Sequence, residues 1–437
     1  MAEQEKIMDQ LETVFQDMES RLNGKTGSRM HAFLKQSYSI LKQLEFPGRK
    51  HEDWKYTPVQ RLMSQPFKVA GNTDQYKVTV LPDLQSYIIP VLNGKVELDK
   101  LDPAVKTAGI NILPLHEALG STELESIFRQ WLNPDHPTVN QAFEFLNFAF
   151  QSGGFFVELP KNMVLDKPLE IHFIHDDEEV SFSHPLYFVY AGAGSSMTVI
   201  ERFEKNIASK VIAQAGLINA AGYYHLEKNA SVQHIKWQDL PEGQSLVYKL
   251  AVSQERDSRF TSLALDYGGE IIRNNVDVEL EGSNTYTSLQ AGFLAQGKQS
   301  MDHQTRINHK VPHCESHELF KGIVDGQASA AFNGKVYVHP DAQKTNAYQQ
   351  NDTLVLSPHA LMNSKPQLEI FADDVKCSHG ATIGQLDEKS MFYLMARGIN
   401  PSAARHILKT AFLAQVLDTM PVGPLRDHIR SRMALEI

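Results

Sequence analysis

Hydrophobic residues recur at helical spacing in the first third of the chain. They predict helices over residues 3–21 and 33–44, and an apolar helix over residues 141–151 that ends before two glycines. Residues 124–131 show the same period. Residues 1–150 are therefore predicted to be a helical and mixed N-terminal domain.

From about residue 155 the pattern changes to short β-rich runs separated by small polar turns. The predicted runs cover residues 169–174, 186–191, 197–202, 231–237, 246–252, 260–265, 271–280, 285–291, 336–338 and 354–356. The runs recur at intervals of roughly 10 to 20 residues, which is typical of a sandwich, a barrel or a stacked solenoid. No exact repeat distinguishes these three. Residues 151–384 are predicted to be a β-rich core.

Helical spacing returns in residues 385–437. Asp387 is placed as the N-cap of a helix, and Gly398 is placed at its C′ position. Asn400-Pro401 predicts the start of a second helix, with a capping side chain followed by proline at the first helical position. Its predicted apolar stripe consists of Ala404, Ile407, Leu408, Ala411 and Phe412. These residues are predicted to form a C-terminal helical domain.

Composition excludes several classes of protein. The formal net charge of −10 argues against a nucleic-acid-binding surface. Two cysteines, Cys314 and Cys377, exclude a disulfide framework and favour a reducing cytoplasm. Neither a signal peptide nor a membrane-spanning run is expected, and the glycine-rich stretch 192–196 lacks the Gly-Lys-Ser/Thr of a nucleotide loop.

The sharpest candidate site is Cys377 with His379, near the end of the β-rich region. Residues at i and i+2 lie on the same face of an extended chain, and thiolate and imidazole are soft ligands for iron, zinc or copper. A buried cysteine and a hydrogen-bonded histidine with purely structural roles remain the alternative. An iron–sulfur cluster usually takes about four protein ligands, so a site with these two must be shared with another chain.

A second group of ligand-type side chains supports an alternative hypothesis, a metal-dependent enzyme on a β-helix or double-stranded β fold. Its members are His303, His309, His313, Cys314 and His317. Their spacing fits no standard zinc finger. The histidines would share a face only on an unbroken strand, which Pro312 disfavours. The alternative is that these residues are ordinary polar side chains on strands and turns, without a role in metal binding.

The C-terminal signature of the SufD family closely resembles residues 366–399, PQLEIFADDVKCSHGATIGQLDEKSMFYLMARGI. Weaker matches lie at 51–57 and 319–323. SufD is a scaffold subunit of the SUF machinery, which assembles iron–sulfur clusters. The sister subunit SufB shares the fold but typically lacks the Cys-Ser-His-Gly form, so the resemblance favours SufD.

This resemblance implies a mainly β fold, a right-handed parallel β-helix core flanked by α-helical domains that would cover its open ends. It also implies a non-catalytic subunit that pairs through the β-helix with a SufB-like homologue. A SufC-like ABC ATPase would bind the C-terminal helices, in a region comprising Asp387, Phe392, Tyr393, Arg397 and Phe412. A homodimer of the chain alone is a further hypothesis.

By the same resemblance, His379 would lie at the subunit interface as an iron ligand or an orienter of the nascent cluster. Cys377 would be a neighbouring thiol that becomes accessible when the ATPase moves the interface. The implied cofactor is a transient iron–sulfur cluster shared with the SufB-like subunit. No nucleotide is expected on this chain, a reduced flavin is allowed in the complex, and cluster type and iron source stay open.

Overall fold

The central feature of the fold is a parallel β-solenoid of about seven turns with helices before and after it. The structure is a computed structural model that describes residues 2–20, 28–65, 67–71, 78, 80–121, 137–175, 180–205 and 216–436. The predicted mainly β class and parallel β-helix core are confirmed. None of the helices in these ranges is long and apolar enough to cross a membrane.

Two sheets form the opposite walls of the solenoid. The first sheet contains, in spatial order, β2 (Lys95–Val96), β1 (Tyr87–Leu92), β5 (Leu169–His175), β8 (Ser196–Lys205), β10 (Ser231–Leu240), β12 (Arg259–Gly268), β14 (Tyr286–Ala295), β16 (Glu315–Val324), β18 (Asn346–Val355) and β20 (Lys376–Gly384). The second contains β19 (Leu361–Ile370), β17 (Ser329–Val338), β15 (Ser300–His309), β13 (Ile271–Leu280), β11 (Gln244–Gln254), β9 (Gly216–Leu226), β7 (Leu186–Ala191), β4 (Phe155–Leu159) and β3 (Asn111–Pro114), while β6 (Ser181–Ser183) pairs with β9.

Pairing is parallel along each sheet, apart from the antiparallel strands β2 and β3 at the N-terminal end. Side chains alternate between the interior of the solenoid, here called the lumen, and the outer faces of the sheets. The lumen side holds the largest apolar cluster, which includes Val199, Leu250 and Phe293. The division at residues 150 and 384 stays a prediction, and β1 to β3 already precede residue 150.

Helices precede and follow the long strands of the solenoid in the sequence. They are α1 (Ala2–Ser20), α2 (Arg29–Leu41), α3 (Val59–Met63), α4 (Pro103–Thr107), α5 (Leu115–Ala118), α6 (Ala142–Phe150), α7 (Glu388–Ala396), α8 (Pro401–Leu417) and α9 (Gly423–Glu436). The helices predicted over residues 3–21, 33–44 and 141–151 are confirmed as α1, α2 and α6. The helix predicted over residues 124–131 lies outside the described residues.

The helices cover the outer faces of the sheets. Phe143 and Phe148 of α6 pack in one cluster with Tyr223 and Val247 of the second sheet. On the first sheet, α8 and α9 cover an apolar patch; its buried members include Trp237, Leu294 and Ile323. These outer faces are too apolar to be left in water, so they take the helices.

The prediction that terminal helices cover the end coils is therefore wrong at the C-terminal end. The last strands, β19 and β20, each have a strand partner on one side only in the described part of the chain. Most side chains of β20 are exposed on both of its faces. The solenoid consequently ends in an open mouth, formed by the last coil.

Candidate functional site

The last strand brings Cys377 and His379 to this mouth. In the β18–β20 pairing, Cys377 lies opposite Ala347 and His379 lies opposite Gln349. Ala347 and Gln349 are buried on the lumen side, whereas Tyr348 between them is exposed. Cys377 and His379 therefore share the lumen face of β20, as the spacing predicts. The thiol is half-buried and the imidazole is exposed, so neither is locked into the core.

Large apolar side chains are exposed around the mouth and beside it. They are Tyr348, Leu361, Ile370, Phe371 and Ile383. Clustered exposed apolar side chains mark interaction surfaces, and an unpaired strand edge is a template for pairing with another chain. The sequence pattern did not single out this rim, because alternating apolar residues predict a strand without showing whether another coil follows.

In the isolated chain, the Cys377 thiol is shielded from reaction. Partial burial raises its pKa above the ordinary thiol value, so the reactive thiolate is a small fraction at neutral pH. Cys314 is completely buried, on the solenoid between β15 and β16. Both cysteines are free thiols.

Alkylation should report this protection. At pH 7.5, iodoacetamide is expected to modify Cys377 more slowly than an unfolded peptide cysteine, and the rate for Cys377 should still increase with pH where the peptide rate has levelled off. Cys314 should react only after denaturation. Mass spectrometry of timed samples measures both sites, with Cys377→Ser as the control. Labelling of Cys377 at the peptide rate at pH 7.5 would contradict the raised pKa.

The alternative group around His303 does not converge on a metal site. His303 and His309 are buried in the lumen, where His303 contacts Asn274 at 3.3 Å and His309 contacts the Ser316 hydroxyl at 2.9 Å. Burial lowers the pKa of His309 to about 3, so it is a neutral core residue.

The remaining members of that group point elsewhere. His313 lies in the turn after β15, with φ of 64°, and His317 lies on the outer face of the first sheet. The turn that contains Pro312 breaks the strand, as the sequence predicts. Among the described residues, no group of three or more His, Cys, Asp or Glu side chains could hold a metal ion. The alternative hypothesis of a metal-dependent enzyme therefore has no set of metal ligands among the described residues.

Helix α7 presents the predicted ATPase-docking residues to solvent. The Asp387 carboxylate caps it by accepting a hydrogen bond from the Ser390 backbone N–H at 2.8 Å, as predicted. Phe392 and Tyr393 are 73% and 59% exposed. The Arg397 guanidinium lies over the Tyr393 ring, 5.2 Å from its centroid.

Phe412 is separate from these residues. It is half-buried against the first sheet, with the Lys321 ammonium 4.3 Å from its ring centroid. The predicted apolar stripe of α8 is wrong in part, since Ile407 is exposed and the buried side chains are Ala404, Leu413, Val416 and Leu417. Only the C-terminal half of α8 lies flat on the sheet, which leaves its first half free to face α7.

An open cleft lies between α7 and the free half of α8. Its volume is about 520 Å³, and its lining residues are Lys389, Ser390, Tyr393, Leu394, Ile407 and Leu408. No residue of α7 is buried. A capped, well-formed helix with an exposed aromatic pair is typical of a surface that a partner covers.

Two polar side chains of the lumen were missed by the sequence analysis. Gln349 donates from Nε2 to the Glu318 carboxylate at 2.5 Å, and both are buried one and two strands below His379. Burial raises the pKa of Glu318 to about 7, and the hydrogen bond from Gln349 only partly offsets this effect. One sequence signal could have revealed this pair: two neighbouring strands of the first sheet each carry a polar residue at a lumen position.

Comparisons with known proteins identify the family of this chain. The family "SUF system FeS cluster assembly, SufBD core domain" matches residues 172–412, and "SufBD protein N-terminal region" matches residues 5–171. An iron–sulfur cluster assembly SufBD family protein of Synechocystis is 30% identical over 90% of this chain and 87% of its own length.

Two further relatives span most of both chains. The iron–sulfur cluster assembly protein SufD of Escherichia coli is 29% identical over 93% of each chain. The chloroplastic protein ABCI7 of Arabidopsis thaliana is 31% identical over 91% of this chain and 84% of its own. With both family domains matched along the chain and the solenoid of the fold in place, the chain belongs to the SufBD family and is a SufD-like component of the SUF iron–sulfur cluster assembly system.

Proposed function

We propose that this chain is a non-catalytic scaffold subunit that forms one half of a cluster-assembly site, with a SufB-like homologue supplying the other half. The observation that carries the proposal is the placement of Cys377 and His379 at the open mouth of the solenoid. These two ligand-type side chains share one face of β20, with His379 exposed and Cys377 half-buried. A cluster needs about two more protein ligands, which a second chain at the mouth can provide.

The edge of the solenoid supports a partner of similar construction. Within the described ranges, β19 and β20 each have one edge without a neighbouring strand, and Leu361 and Ile383 add exposed apolar area beside these edges. A second β-solenoid could continue both sheets through its own edge strands. The same edge allows a homodimer when the chain is alone, which size-exclusion chromatography with and without the SufB-like partner distinguishes.

The cleft between α7 and α8 is the proposed docking site of a SufC-like ATPase. Its exposed aromatic and aliphatic side chains suit a partner's apolar surface, and no residue of α7 is itself buried, so α7 is not locked into the core. Closure of the ATPases on ATP would then shift α7 and open the mouth to iron and sulfur. In this proposal the complex works in the cytoplasm, the cluster is transient, nucleotide binds only the ATPase, and any reduced flavin belongs to the assembled complex.

Replacing His379 by alanine tests the proposed site. The His379→Ala chain, co-expressed with its SufB-like and SufC-like partners, should copurify with them normally but accumulate less than a tenth of the native iron–sulfur cluster, because an iron ligand at the mouth is missing. Iron and acid-labile sulfide per complex, together with visible absorption, measure the effect.

The matched control is His317→Ala. His317 is also a partly exposed histidine of the first sheet, but it lies on the outer face. It should leave cluster content at the native level. Native cluster content in the His379→Ala complex would refute the proposed role of the mouth. Reduced cluster content in the His317→Ala complex would instead favour the alternative metal site, the group of residues from His303 to His317.

A further inference from the structure

Glu318 and Gln349 form a buried polar pair in the lumen below the mouth. They are 1% and 0% exposed, and the Gln349 amide donates from Nε2 to Glu318 Oε2 at 2.5 Å. Hydrogen-bonded polar pairs in an apolar core hold a defined geometry, because losing the bond leaves a buried polar group unpaired. This pair therefore fixes the orientation of the Gln349 side chain.

The strand register connects the pair to His379. Gln349 of β18 is paired with Glu318 of β16 on one side and with His379 of β20 on the other. Neighbouring strands are about 4.8 Å apart, and paired residues project from the same face. Gln349 is thus the side chain between the buried carboxylate and the imidazole at the mouth.

The orientation of the amide leaves an acceptor for a donor from the mouth. In the structure Glu318 Oε2 accepts from the NH₂ end of the amide, which is therefore the end that faces the carboxyl group. Gly334 of β17 provides the space, since a Cβ at this position would collide with Gln349 Nε2. The other end, Gln349 Oε1, is buried and has no hydrogen-bond partner among the described residues. Oε1 and Nε2 are separate ends of one planar amide, so the hydrogen bond to Glu318 does not occupy Oε1.

We propose that Gln349 and Glu318 are positioning residues for His379. When the partner closes the mouth, the imidazole turns inward and donates one ring N–H to Gln349 Oε1, which leaves the other ring nitrogen to bind iron. This inference rests on the proposed function, in which His379 is an iron ligand. A metal-ligating histidine generally donates its second ring N–H to an oxygen acceptor, which fixes the tautomer and the ring orientation.

A double-mutant cycle on the assembled complex tests the inference. Ferrous iron is titrated anaerobically into complexes that carry Gln349→Met, His379→Ala or both. Gln349→Met keeps the side-chain length but removes the acceptor, and it should weaken iron binding about 10- to 100-fold. In the His379→Ala background the same change should have no further effect, because Gln349 acts through His379.

Two further variants separate positioning from general stability. Asn351→Leu removes an amide that is equally buried on the same strand, and should leave iron affinity native. The exchange of Glu318→Gln with Gln349→Glu keeps both the hydrogen bond and an acceptor oxygen toward His379, and should restore affinity to within about threefold of the native value. Thermal melting and copurification verify that each complex is intact.

The outcomes distinguish the two proposals. Weak binding in the His379→Ala complex with native binding in the Gln349→Met complex would overturn the positioning role alone. Equal losses in Gln349→Met and Asn351→Leu, or additive losses with His379→Ala, would also overturn it. Native iron affinity in the His379→Ala complex would instead refute the proposed function, and the positioning role would fall with it.

Discussion

Asp302→Ala is expected to lower the free energy of unfolding by roughly 3–5 kcal/mol. Asp302 forms a buried ion pair with Arg273 at 2.7 Å and also accepts a hydrogen bond from the Thr57 hydroxyl. The Arg273 guanidinium lies 3.9 Å from the Trp54 ring centroid. Without the carboxylate, a buried guanidinium loses its charged partner at the joint between the N-terminal segment and the second sheet. Urea denaturation followed by fluorescence measures the change.

The control for this prediction is Glu369→Ala. Glu369 pairs with Lys335 at 3.0 Å on the same sheet, but both side chains are well exposed, so the loss should be about 1 kcal/mol or less. The double replacement Arg273→Met with Asp302→Leu should regain most of the stability that Asp302→Ala loses, because it removes both charges. Equal effects of Asp302→Ala and Glu369→Ala would show that the pair is not a buried anchor.

Phe392→Glu is expected to weaken binding of the SufC-like ATPase by roughly 100-fold. The ring is exposed on α7, beside the cleft that we propose as the docking site. A charge in a desolvated aromatic contact loses apolar burial and gains a desolvation cost. Glutamate keeps helix propensity, so α7 should remain folded. Calorimetric titration of the ATPase into the isolated chain measures the affinity.

Val164→Glu is the matched control for that experiment. Val164 is 70% exposed, as apolar and as accessible as Phe392, but it lies outside the C-terminal helices. Its replacement should leave ATPase affinity unchanged. If Phe392→Glu binds as tightly as the native chain, the ATPase uses another surface.

Sequence reasoning predicted the helices and the apolar strands because local periodicity determines them. The bounds predicted for β7 and β13 agree with the structure. It missed β15 and β16, whose lumen positions hold polar residues such as His303, Thr305 and Glu318 that hide the alternation. Their environment depends on coils stacked about 30 residues away in sequence, which local patterns do not contain.

The candidate site was predicted in its residues but not in its surroundings. The i, i+2 spacing correctly placed Cys377 and His379 on one face of a strand. The open mouth, the exposed rim and the Gln349 amide beneath His379 depend on which coil comes last, a property of the whole stack. The predicted apolar stripe of α8 was wrong at Ile407, which is exposed. The reason is related: amphipathicity does not reveal where a helix leaves the sheet.

The course of the C-terminal helices has a mechanical consequence. They run back along the solenoid, and at their far end Arg432 of α9 is bonded to Asp239 of β10 at 2.7 Å, five strands of the first sheet before β20. This contact fixes the far end of the helices to the middle of the solenoid, while α7 begins directly after β20. A displacement of α7 would therefore act on the last coil, which carries Cys377 and His379, and leave the coils near the anchor in place.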